Sequence, residues 1–127
     1  PSGNTWFMDG AGNISVTAPK NFTVNAGENI TMTAGKNVTV SAGDDMDNSA
    51  GKNITQTAGN DLSQSAMGNI TEMSNNRTEM VEKDFIRQAD TSNEIASEVT
   101  IFSQKENMTL QSGKTVEVNS AEKSKMF

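Results

Sequence analysis

The sequence has no cysteine, no histidine and no tyrosine, and only one tryptophan, Trp6. Without cysteine there is no disulfide staple, thiolate metal site or thiol nucleophile. Without histidine there is no imidazole ligand and no nucleophile–histidine pair. These absences lead to the expectation of no enzyme activity and no catalytic, cofactor-binding or metal-ligating residues. No apolar run approaches the ~18 residues of a membrane helix, and no signal peptide is visible. Bases are scarce as well: 10 against 16 acids, a net charge of −6. A phosphate backbone would meet like charge, so nucleic acid is excluded as a partner. Apolar residues make up 33% of the 127, and mean hydropathy is −0.57. That length suits one domain, yet the apolar supply is poor for a thick core. The opening PSGNTW lacks Met and reads as the inside of a longer chain, an excised piece whose targeting information lies elsewhere.

Low hydropathy with excess acid is also the composition of disorder. What is present argues otherwise, because the few apolar residues keep a fixed phase. "AGENITMTAGKNVTVSAGDDMDNSAGKNITQTAGNDLSQSA" repeats one statement every eight residues. Counting Ala as position 1, Ala recurs at Ala18, Ala26, Ala34, Ala42, Ala50, Ala58 and Ala66. Position 2 is Gly27, Gly35, Gly43, Gly51 and Gly59, with Pro19 and Met67 as exceptions. Position 4 is always Asn or Asp from Asn13 to Asn69. Position 5 is apolar: Ile14, Phe22, Ile30, Val38, Met46, Ile54, Leu62 and Ile70, and the same phase run backwards reaches Trp6. Position 7 is apolar from Met8 to Val40, then polar at Asn48, Gln56, Gln64 and Glu72.

Positions 1, 5 and 7 share parity, so in a strand they point one way, while positions 4, 6 and 8 carry Asn, Thr, Ser and Lys towards water. Period eight is not helical, and Gly would recur inside any such helix. The unit is a strand followed by a corner, where Gly is expected to supply unusual backbone angles. Eight residues span roughly 27 Å, and a closed turn of that perimeter is about 9 Å across, less than the ~10 Å that packed sheets need. One octad is therefore one side of a triangular turn. Three sides come either from one chain or from three. The absence of a 24-residue superperiod favours three intertwined identical chains, which also leaves sheet edges exposed only at the two ends.

The expected fold class is all-β, a three-chain intertwined triangular β-helix built from octapeptide repeats. Residues 1–73 form the regular octads, 74–107 a degenerate β-helix, and 108–127 resumed octads with a C-terminal tip or tail. In the middle stretch Met80 keeps position 7 and Ile86 and Phe102 keep position 5. Val81, Phe85, Ile95, Val99 and Ile101 have the opposite parity, which suggests bulges or a register change. The segment EMVEKDFIRQA also has a competing amphipathic helical pattern. Met108 and Val116, and Leu110 and Val118, restore the eight-residue spacing. The tail AEKSKMF is expected to fray or to continue into something beyond it.

Asp44, Asp45, Asp47 and Asn48 invite a calcium reading but lack the Gly and distal Glu of a helix–loop–helix calcium loop. A solvated acidic octad accounts for them better. The Asn-x-Ser/Thr triplets follow automatically from positions 4 and 6, so they say nothing about glycosylation. Asn48, Gln56, Gln64 and Glu72 would each meet two copies of themselves near a trimer axis. Three carboxylates at Glu72 need water, protonation or a cation there. A wet interior is preferred over a specific ion site, so an adventitious ion or water is the most that the interior is expected to hold.

The octads AGENITMT, AGKNVTVS and AGKNITQT resemble those of the VgrG spike proteins of bacterial type VI secretion systems, and are similar to the needle of the contractile-phage central spike. The resemblance covers residues 6–73 well and 108–119 fairly. It implies a homotrimeric needle shaft driven by a contractile sheath through a target-cell envelope. It also implies a conical tip protein or effector cargo at the C-terminal end, and a secretion tube reached through an N-terminal hub that is missing here. The target membrane would be met mechanically. Manufacture in a bacterial cytoplasm and delivery to the extracellular space or a target cell follow from the same resemblance. Two other readings compete. An ice-binding β-solenoid would use the pairs Thr31/Thr33 and Thr55/Thr57, but Ser41, Asn48 and Ser63 interrupt them. A trimeric adhesin stalk would share the shaft physics and differ in its anchor.

Overall fold

The structure is a computed structural model that describes residues 3–122. Among these residues none is helical, and the paired secondary structure is one two-stranded antiparallel sheet. It divides into two units, Pro1–Ala66 and Met67–Phe127. Strand β1 is Thr5–Met8 and strand β2 is Ile14–Thr17, in the register Thr5 to Thr17, Trp6 to Val16, Phe7 to Ser15 and Met8 to Ile14. Trp6, Met8, Ile14 and Val16 therefore share one face.

The loop between them needs glycine for its backbone. Gly10 and Gly12 have φ of 75° and 93°, a region that side-chain-bearing residues rarely adopt. Asp9 closes the loop. Its N–H donates to the Asn13 carbonyl at 3.2 Å. Its carboxylate accepts from the N–H groups of Ala11 at 2.7 Å and Asn13 at 3.1 Å, and from the Asn13 side-chain amide. Those bonds, the Asn13 side chain first, hold the Asp9 carboxyl below its ordinary value. A lowered folded pKa contributes stability that is complete above the ordinary aspartate value of about 3.9 and is lost as pH falls through the folded value. The hairpin is accordingly expected to open at acid pH, read as a shift of Trp6 fluorescence. Asp9→Ala should show the acid spectrum already at pH 7, and a variant whose spectrum matches the parent at both pH values contradicts this.

Trp6 is thus paired back onto β2 by a tight hairpin rather than continuing the octad winding one side earlier. After Thr17 the chain forms no strand pair or helix among the described residues, including over the segment EMVEKDFIRQA. It turns instead at corners: residues 19–20, 27–28, 35–36, 43–44, 51–52, 59–60 and 67–68. These fall on octad positions 2 and 3, so the corner glycines do sit at changes of direction. The physical reason differs from the sequence expectation. Among the described glycines only Gly3, Gly10 and Gly12 have positive φ, so Gly27, Gly35, Gly43, Gly51 and Gly59 adopt angles open to any residue. A Cβ added at any of these five meets nothing within 4 Å.

Beyond residue 68 the corners change spacing. They begin at 67, 75, 82, 90, 97, 104, 113 and 121. Seven sides thus take 54 residues where strict octads would take 56, with shortened sides starting at 75, 90 and 97 and a lengthened one at 104. The last octads resume two residues out of phase with the first, and Gly113 is again at a corner. Residues 123–127 of the tail, with Met126 and Phe127, lie outside the described residues.

Candidate functional site

The feature with functional potential is the repeating side itself. From residue 20 to residue 119 no backbone N–H or C=O pairs with another backbone group. Two of these groups find side chains instead: the Glu106 carbonyl accepts from the Ser103 hydroxyl, and the Lys114 N–H donates to the Ser112 hydroxyl. Each straight segment between corners therefore leaves donors and acceptors open along both of its edges. Its composition of Ile, Val and Thr is that of strands. Open edges of this kind are templates for pairing with further strands.

The side chains carry the same message. No described residue is buried, and only Ala18 is even half-buried. The repeat's inward set, Trp6, Ile14, Phe22, Ile30, Val38, Met46, Ile54, Leu62 and Ile70, lies between 51% and 69% exposed. The polar group Asn48, Gln56, Gln64 and Glu72 is exposed as well. Total accessible surface is 14747 Å². A compact monomer of 13.6 kDa would show roughly 6,600 Å² and its unfolded chain roughly 20,000 Å². The excess of about 8,000 Å² over the compact value is some ten times what one partner contributes to a standard interface. The single chain leaves this surface open, both in apolar area and in backbone hydrogen bonds.

The irregular stretch is built differently. The Arg77 guanidinium bridges the carboxylates of Glu72 and Glu79, spanning the corner at residue 75. Glu72, singled out as a carboxylate in need of a counter-charge, has one from its own chain. The side chains of Glu79, Val81 and Phe85 line one shallow hollow, and the Arg87 guanidinium carbon lies 5.7 Å from the Phe85 ring centroid. Val81, Phe85 and Val99 are 50–56% exposed, against 79–91% for Met80, Ile86 and Phe102. Ile95 and Ile101, also odd-numbered, are 97% and 69% exposed and lie outside the 50–56% range. Phe85 follows the corner start at 82 by three residues, as Ile30 follows the one at 27. Phe85 therefore takes the place that an unbroken octad count assigns to Ile86. Met108 and Val116 return the less exposed apolar positions to even numbers.

A second hollow, in the first unit, lies beside the hairpin and is lined by Trp6, Val16, Phe22 and Asn21 among others. It is open and holds no convergent charged groups. Among the described residues no group of three or more acidic, His or Cys side chains gathers as a metal site, and no helix is long and apolar enough to cross a membrane. The ion bridge and the Phe85–Arg87 face are what sequence reasoning missed. Their signal was present in the alternating charges of Glu72, Arg77 and Glu79, which the octad count treats as unrelated positions. Comparison of the chain with models of protein families, with curated proteins and with solved structures gave no match.

Proposed function

We propose that the chain is the shaft of a three-chain needle, a rigid element of a cell-puncturing spike of the VgrG kind. One observation carries this reading: corners recur every eight residues while the sides between them leave both backbone edges unpaired. A side of roughly 27 Å is one third of a triangular turn, and two further copies supply the other two sides. In that arrangement the open edges pair between layers and the position-5 and position-7 side chains close on one another. The corner glycines then have a reason that the single chain lacks, since a neighbouring backbone passes where a side chain would stand.

Such a shaft is useful because it is uniform. Local yielding requires many interchain hydrogen bonds to break together, and no redox-sensitive thiol contributes to the stiffness. Delivery follows from the same reading: manufacture in a cytoplasm, thrust by a contractile machine, mechanical passage through a target envelope, and a tip protein or effector at the C-terminal end. The shaft needs no cofactor and catalyses nothing; its interior from Asn48 to Glu72 is polar and wet. The purified chain should appear in electron micrographs as stiff rods about 70 Å long, from about fifteen octads rising ~4.8 Å each. Flexible or globular particles would overturn the proposal.

A further inference from the structure

The seven octads from Ala18 to Met73 are nearly interchangeable, which creates a problem for any assembly of identical chains. Three copies displaced by eight residues would find the same corners, the same apolar positions and the same open edges, losing only rungs at the ends. Repeat assemblies resolve this ambiguity with an irregular element that tolerates one alignment, as a single polar residue does in a coiled-coil seam.

We propose that residues 72–103 are the register key of the assembly, so that its partner surface is specific for the same residues of two further copies of this chain. This inference rests on the three-chain reading and says which alignment the three chains adopt. Three observations support it. The sides beginning at 75, 90 and 97 contain seven residues rather than eight. A copy displaced by one octad sets a seven-residue side beside an eight-residue one, and its corner then falls one residue out of line with the neighbouring corner, which reverses the parity of the side chains that follow. The less exposed large apolar residues there are odd-numbered, Val81, Phe85 and Val99, where those of the ordinary octads are even-numbered. Because side chains alternate, pairing this stretch with an ordinary octad turns one chain's apolar set away from the other's. Lastly, Arg77 holds Glu72 and Glu79 together across the first shortened corner. In register, this ion group meets its own copies; displaced by eight residues, Glu72 falls beside Met80 and Arg77 beside Phe85, where desolvation of charge goes unrewarded.

The chain lacks cysteine, so register can be read with introduced thiols. Chains carrying Asn48→Cys and chains carrying Gln64→Cys are unfolded together, refolded and oxidised. In register the two positions are two octads apart, about 10 Å along the axis, beyond the ~7 Å between Cα atoms that a disulfide bridges. The parent background should give only 48–48 and 64–64 disulfides. Deleting residues 74–103 joins the octad ending at Met73 to the one beginning at Gln104 and removes the key while keeping the repeat in phase. This background should still assemble and give 48–64 disulfides at a yield comparable to the like pairs. A second background adds one glycine after Asn75 and one after Asp90, which lengthens two short sides and keeps every charge. It should also admit 48–64 pairs, at least tenfold above the parent. Like pairs alone in assembled material of both altered backgrounds overturn the inference and leave the three-chain reading intact. A monomeric parent overturns the reading itself, and the inference with it.

Discussion

Ile54→Asp is expected to hold the chain monomeric under conditions where the parent assembles. Ile54 stands at position 5 of an ordinary octad, away from the hairpin and from the irregular stretch, and is 61% exposed in the single chain. In the three-chain arrangement three copies of this side chain meet near the axis. Three aspartates there would be close to one another, stripped of water and without a cation. At ~3 kcal/mol for each buried, unpaired carboxylate the three copies weaken assembly by about 9 kcal/mol, more than six orders of magnitude in the association constant. Thr55→Asp is the control, because Thr55 has the opposite parity and would point to water. Its effect should stay within about 0.5 kcal/mol. Sedimentation of the two variants beside the parent gives the answer. Equal behaviour of Ile54→Asp and Thr55→Asp would show that parity does not separate an interior from an exterior.

The opposite change is expected to stabilise. Gln56 and Gln64 occupy position 7, which holds Val16, Val24 and Val40 in earlier octads. A glutamine in a wet interior exchanges water for water and gains little, whereas valine removes apolar surface from solvent. At ~1 kcal/mol per replaced side chain, Gln56→Val with Gln64→Val adds about 6 kcal/mol to a trimer. Spread over the unfolding entropy of about 380 residues, this raises Tm by roughly 7 °C. A fall in Tm would mean that the glutamines form an ordered hydrogen-bonded ladder across the axis. No change would mean that position 7 faces outward.

The corners of the first unit were legible because the octad marks each with Ala and Gly, and the marks survive substitution at Pro19 and Met67. The reason for glycine was not legible. From one chain the residue type suggests a strained backbone, whereas φ at Gly27 to Gly59 is not positive, and the described glycines that need their freedom are Gly3 and the hairpin's Gly10 and Gly12. The hairpin did carry a signal, since Asp-Gly between two apolar alternating runs is a strong hairpin cue. Here it was masked by Trp6 and Met8 falling in phase with the octads that follow. The middle of the chain was least legible. Between Gly68 and Gly113 no glycine marks a corner, and apolar residues occur at both parities. A net loss of two residues spread over several sides then looks like decay of the pattern. Only the placement of corners and the relative exposure of Phe85 and Ile86 show it as a change of phase. The inward role proposed for Ile14 through Ile70 rests on periodicity and open edges read together, because neither alone distinguishes a single coil from three intertwined chains.

The molar mass of the chain in solution tests the central claim most directly. Light scattering on material eluting from a sizing column, repeated over a hundredfold range of concentration, should give about three times 13.6 kDa, near 41 kDa, without dependence on dilution. A constant mass near 13.6 kDa would contradict the account.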